Sequence, residues 1–203
     1  MPDKLVIEIY KKKEPEEFTK LLADPNSRLE VGSAAALTAA SAAALLERAA
    51  MTASEENKDN ERLAYILKNS ETIRGYMVCL IDEDVKCRGP IRKAMKEGDE
   101  GKIDACRQSA SCIAAEIINM SGHLLGFLHE LAELCPKSAL HYLSESAHLA
   151  VGAAESCREY ILQMASGSGD ETYRFVTVRE NELTFDELHR SYELLISDIK
   201  NKG

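Results

Sequence analysis

Apolar residues recur at helical spacing through most of the chain, and short polar clusters containing Gly, Pro, Asn or Asp break the pattern. The stretch from Val31 to Ala50, VGSAAALTAASAAALLERAA, holds ten alanines and one glycine. Alanine is the best helix former, and methyl-sized side chains let a neighbouring backbone come close. This stretch therefore predicts a tightly packed central helix over residues 33–53, with the Ser33 hydroxyl as its cap. A second long helix is predicted over 57–87, where Leu63, Ile66, Leu67, Ile73, Met77 and Leu80 form one apolar stripe. Gly89-Pro90 should interrupt it, because proline has no amide to donate and disfavours helical geometry in the residue before it. A short helix over 91–96 should follow.

From 101 to 134 the apolar positions Ile113, Ile117, Met120, Leu124, Phe127, Leu128 and Leu131 again repeat as one helical face. Cys135-Pro136-Lys137 closes that helix, and Ser138 opens another that reaches about residue 165. Near the start, Pro15 precedes a short helix over 16–23, stopped by Asp24-Pro25-Asn26-Ser27. The ends read differently. Residues 5–10, LVIEIY, are short and β-branched and predict a strand; 173–178 is a second strand candidate, and the two are expected to pair. Ser166-Gly-Ser-Gly169 reads as a flexible joint, and Thr184 with Glu187 makes a capping box before an amphipathic helix ending near 199. The expected fold is all-α. It is an antiparallel bundle with long central helices, one domain over 1–203, to which the terminal segments add a small two-stranded β ribbon.

Composition narrows the function. At 203 residues the chain can bury roughly two-thirds of its unfolded surface. Its formal net charge of -9 argues against a nucleic-acid partner, since phosphate backbones need clustered cations. Lys11, Lys12 and Lys13 form the only basic run and read as a solvated face. No uninterrupted apolar run reaches the length of a membrane span and no secretory leader is evident, so no membrane and a cytoplasmic location are expected. The six cysteines form no CxxC pair and are expected to be reduced, small apolar residues. His141 and His148 would share a helix face but lie about 10 Å apart along it, which leaves no expected metal site.

Candidate chemistry sits in LIDEDVK, residues 80–86, where Asp82 and Asp84 lie among Leu80, Ile81 and Val85. Two residues apart on a helix they point in nearly opposite directions, so at most one faces the core. The plain alternative is a solvated pair bonded to Lys86 and Arg88 at i,i+4. His123, with Glu116 and Asn119 on preceding turns, is a candidate proton shuttle, as is His129; a lone helical histidine is more commonly structural.

Taken together, Gly32-Ser33 before an alanine-rich helix, then LIDEDVK, then Cys135-Pro136-Lys137-Ser138 before a helix with Gly152-Ala153-Ala154 resemble the cyclodeaminase/cyclohydrolase family. The resemblance spans residues 16–165. It implies an all-helical homodimer that binds a tetrahydrofolate as substrate, needs no separate cofactor, and acts on the one-carbon unit between N5 and N10. The family's catalytic aspartate falls on Asp84. The resemblance also implies substrate contacts at Gly32 and Ser33 and at Ser138, with His141 one turn further on. A carboxylate buried on an apolar helix can pass a proton near neutrality. Three differences separate this chain from the family pattern. Leu29-Glu30-Val31-Gly32-Ser33 stands where the family carries Pro-Gly-Gly-Gly-Ser, Ala139 replaces an aspartate, and Cys157 and Ile161 replace asparagines. Two readings follow: a folate cyclohydrolase or cyclodeaminase, or a non-catalytic helical homodimer of the same fold that acts as a binding or scaffolding protein.

Overall fold

The computed structural model describes residues 9–202, and helices run through nearly all of them. After a 3-10 turn at Tyr10–Lys12 come α1 (Pro15–Ala23), α2 (Val31–Glu56), α3 (Glu61–Glu97), α4 (Glu100–Leu134), α5 (Leu140–Ser166) and α6 (Glu171–Lys202). Short connections make successive long helices antiparallel. Side-chain caps open α3 and α4: Asn60 accepts the amides of Arg62 and Leu63 before α3, and Asp99 accepts that of Lys102 before α4.

The alanine-rich α2 lies between α3 and α5, with α4 also against it, while α6 packs on α5 and α4. Ala36, Ala39, Ala42, Ala43, Ala49, Ala50 and Ala53 are fully buried, so α2 meets its neighbours on more than one side. The close approach is visible where Ser146 of α5 donates to the Ala42 carbonyl at 2.7 Å. Only a stripe of small residues permits such contact. One continuous core runs from Tyr10 to Ile199 and includes Leu46, Leu63, Ile66, Leu124, Leu128 and Leu195. By length and composition alone, α2 and α4 could each cross a membrane. Half of the apolar window of α2, and 44% of that of α4, is buried inside the bundle.

Several expectations need correction. There is no strand among the described residues. Residues 5–8 lie outside them, Ile9 is extended, and Tyr10 enters the 3-10 turn. Residues 173–178 are helical: Asp170 caps the start of α6 by accepting the Tyr173 amide, and the Tyr173 hydroxyl donates to Ser111 of α4. Local β propensity yields to a cap and a tertiary anchor. α6 then passes through Thr184, so the expected capping box starts no helix.

Pro90 likewise stays inside α3. Its missing amide removes one bond to the Lys86 carbonyl, while Val85, Arg88 and Ala94, buried on either side, hold the helix in line. The glycine-serine segment after α5 is a clamped turn, because Gly169 donates to Asp104 at 2.9 Å and Arg107 bonds to the Gly167 carbonyl. Lys202 closes the other end of α4 by donating to the Ala132 carbonyl at 3.0 Å.

The packing of α2 gives a direct test. Ala39→Leu, inside the contact, is expected to cost about 1–3 kcal/mol in urea unfolding, whereas Ala44→Leu, on the exposed face, should be nearly neutral. Equal costs would show that methyl-sized residues are not required by the packing.

Candidate functional site

Asp84 is the most deeply buried carboxylate of the described residues, 2% exposed between Ile81 and Val85 on α3. Burying a lone carboxylate costs several kcal/mol, so its partners decide whether the site is tenable. Arg88, one turn on, donates from Nε to Oδ1 at 3.0 Å. Ser33, in the first turn of α2, donates from Oγ to Oδ2 at 2.8 Å, with the Ile81 carbonyl a longer alternative at 3.3 Å. The expected Asp84–Arg88 pair therefore forms, but in the interior and not in solvent. Ser33 is not the helix cap, since α2 already begins at Val31; its hydroxyl is turned on the carboxylate instead.

Gly32 explains how α2 comes so near. A Cβ at this position would stand 2.6 Å from Cγ of Asp84 and closer still to Oδ1, a separation that side chains do not adopt. The absence of a side chain at Gly32 thus makes room for the carboxylate. Asp84, Ser33 and Gly32 form one contact between α2 and α3.

A second layer holds Arg88. Its Nη1 bonds to Glu30, whose other oxygen accepts from Arg92 Nη2 at 3.1 Å; Arg92 also donates to the Ser27 carbonyl at 2.9 Å. The Arg88 guanidinium lies over the Tyr160 ring of α5, 4.1 Å from its centroid, a cation–π contact. Burial pushes the Tyr160 hydroxyl up to about 12, opposed by the neighbouring Arg88 charge. Burial also pushes the Cys157 thiol up to about 12, with Asp84 adding to the shift and Arg88 opposing it. Both groups stay protonated and neutral at physiological pH. The sequence singled out Glu30 only as a replaced glycine, and neither its pairing with two arginines nor the role of Tyr160 was visible in local spacing.

The other candidates lie elsewhere. Asp82 accepts the amides of Tyr10 and Lys11 at 2.7 and 3.3 Å and serves the N-terminal turn; Lys86 pairs with Glu83, not with Asp82. Ser138 and His141 are exposed at the start of α5, level with residues 48–49 of α2, where Cys135 Sγ meets the Ala49 carbonyl and Arg48 lies over Tyr142. Sixteen helical residues from Gly32–Ser33 correspond to about 24 Å, so within one chain they do not join Asp84. His123 is exposed, and His129 bonds through Nε2 to the Ser191 carbonyl at 2.9 Å, a structural tie between α4 and α6. Among the described residues no cluster of three or more His, Cys, Asp or Glu is placed to hold a metal.

Two hollows lie near the residues that hold Arg88, and Asp84 itself lines neither. One, of about 570 Å³, has Leu22, Leu29, Val31, Ala35, Thr38 and Ser156 among its lining residues, with Glu30 in its wall. The other, of about 380 Å³, includes Arg88 and Arg92 in its wall. The two meet at the Glu30–arginine pairs. A larger hollow, about 960 Å³, lies at the α2–α3 connection around Asn57–Arg62, open to solvent and lined by no residue that bonds to Asp84.

A family model described as "Formiminotransferase-cyclodeaminase" matches residues 14–178. Among solved structures, the formiminotetrahydrofolate cyclodeaminase of Thermotoga maritima shares the fold with a TM-score of 0.85 at 20% identity, covering 94% of this chain and 98% of that one. No curated protein matches the sequence.

The thiols test the burial around Asp84. At pH 8 iodoacetamide should modify exposed Cys79 and Cys112 first, whereas Cys157, with its thiol near 12, and Cys135, near 11, react only after unfolding. Peptide mass mapping before and after denaturant reads this directly, and early modification of Cys157 would contradict the closed packing beside Asp84.

Proposed function

Because the chain belongs to the formiminotransferase-cyclodeaminase family, we propose that it acts on the one-carbon unit between N5 and N10 of a tetrahydrofolate, with Asp84 moving the proton. The observation that carries this reading is the buried carboxylate held between Ser33 and Arg88, at the one place where α2 lacks a side chain. A proton-transfer group needs a fixed position and shielding from water, and this arrangement supplies both. The hollow of about 570 Å³ that has Glu30, the partner of Arg88, in its wall is within the range of small-molecule sites, and Leu22, Leu29, Val31 and Ala35 give it an apolar side suited to a pteridine.

Hydrolysis of 5,10-methenyltetrahydrofolate is the favoured reaction. A water oxygen bonds to the cationic methenyl carbon, and Asp84 accepts the proton that the water loses. The resulting hydroxyl then loses its proton as the carbon–oxygen double bond forms and the carbon–N5 bond breaks, N5 takes up a proton, and 10-formyltetrahydrofolate results. In the cyclodeaminase alternative N10 bonds to the formimino carbon and gives up its proton to Asp84. The departing nitrogen leaves as ammonia after gaining two protons, one returned by Asp84 and one from solvent. The folate is the substrate in both cases, and no further cofactor enters. Since both Asp84 oxygens already have internal partners, the Glu30–Arg88 pair must part before a ligand can approach.

That same saturation of Asp84 favours a second reading, in which the fold persists as a non-catalytic helical homodimer with a binding or scaffolding role. Exposed Leu37, Ala44 and Met51, seven residues apart on α2, would form its contact stripe.

One experiment separates the readings: the loss of methenyltetrahydrofolate absorbance with purified protein and with Asp84→Asn, alongside sedimentation and folate-binding calorimetry. The enzymatic reading expects catalysis by wild type and a fall of about 10²-fold or more in the variant. A wild-type rate equal to the solvent reaction, no folate binding and a stable dimer would replace it with the second reading.

A further inference from the structure

The hollow of about 380 Å³ beside Arg88 is not the one assigned to the folate above. Five of its seven lining residues, Arg28, Arg88, Arg92, Lys93 and Lys96, are cationic, on a chain whose net charge is -9. They come from two directions: Arg28 from the α1–α2 connection and the others from successive turns of α3. Internal anions satisfy only part of this charge. Asp84 holds Arg88 through Nε at 3.0 Å, Glu30 spans Arg88 and Arg92, and Glu97 stands 3.9 Å from Lys93. Among the described residues Arg28 and Lys96 make no ion pair, and Arg88 Nη2 is buried without a hydrogen-bond partner.

This wall is built for an anion. Guanidinium forks match carboxylate and phosphate oxygens equally well in plane, so geometry at one arginine does not choose between them. The shape of the hollow does. Cations approach a small volume from two sides, and Val85 is its single apolar side chain, which suits a compact, multiply charged group over an extended or apolar one. Gly89 leaves the rim open: a Cβ there would meet nothing within 4 Å.

We propose that this hollow is a binding site for a phosphate group, free or as a small monoester, and that Glu30 is its built-in competitor for Arg88 and Arg92. When phosphate enters, its oxygens replace the Glu30 carboxylate on the two arginines. Glu30 lies three residues before Ser33, so its release frees the segment that leads into the contact with Asp84. Phosphate occupancy is thereby coupled to access at Asp84. The proposal does not depend on folate turnover, and its test uses none.

Calorimetric titration of the full-length chain at constant ionic strength, with inorganic phosphate, glycerol 3-phosphate and glutarate as the three probes, decides the matter. Wild type should bind a phosphate probe more tightly than glutarate. Glu30→Gln should bind it about tenfold more tightly, because the competing carboxylate is gone, and Arg28→Gln with Lys96→Gln about tenfold more weakly. The last two positions are exposed, and circular dichroism confirms that the variants fold. Preference for glycerol 3-phosphate over inorganic phosphate assigns the monoester, and the reverse assigns the free ion. Glutarate binding as tightly as either phosphate, equal affinity in all variants, or no phosphate binding even by Glu30→Gln would overturn the proposal.

Discussion

The close approach of α2 to the Asp84 carboxylate governs the organisation of this molecule. A carboxylate at 2% exposure is tolerable only when its charge and lone pairs are met. Ser33 and Arg88 meet them, and the approach of Ser33 depends on the absence of a side chain at Gly32. Arg88 is itself nearly buried and needs its own partners, which are Glu30 and the face of Tyr160. The site is thus a chain of dependences running from α3 through α2 to α5. Removing Arg88 leaves the Asp84 carboxylate buried without its charge partner, a loss of about 3–5 kcal/mol, whereas Glu30 is 42% exposed and its loss leaves Arg88 on Asp84.

The alanine content of α2 is the wider form of the same constraint. Methyl-sized residues let α3, α4 and α5 close around one axis, and so fix where the first turn of α2 lies relative to α3. Packing and chemistry are joined at the point where the stripe of small residues ends in Gly32-Ser33. Where the family pattern has glycines before that turn, this chain has Glu30 and Val31. Glu30 fills the space with a carboxylate that pairs two arginines, and Val31 lies half-open at the neighbouring hollow.

Much of this was legible in the sequence wherever local periodicity and burial agreed. The alanine-rich helix, the apolar stripes of α3 and α4, and the i,i+4 relation of Asp84 to Arg88 all follow from spacing. The misreadings arose where long-range contacts outweigh local signals. Residues 173–178 look β-prone, yet the Asp170 cap and the Tyr173–Ser111 bond start a helix there. Pro90 should end a helix, yet core residues on both sides carry α3 past it. Ser138 and His141, expected from family order, are a separate matter: the antiparallel run of α5 against α2 sets them at the opposite end of α2 from Asp84 within one chain. The Glu30–Arg88–Arg92 pairs join residues roughly sixty positions apart, a distance over which one sequence carries no pattern.

The dependence of Gly32 on Asp84 is most directly measured by a double-mutant cycle in urea unfolding, using Gly32→Ala, Asp84→Ala and both together. If a Cβ at position 32 is forbidden by the carboxylate, Gly32→Ala costs about 3 kcal/mol in wild type and much less once Asp84 is alanine, a coupling of about 2 kcal/mol. Equal costs in the two backgrounds would contradict the account, because they would mean that Gly32 serves α2 alone and that the contact with Asp84 does not organise the site.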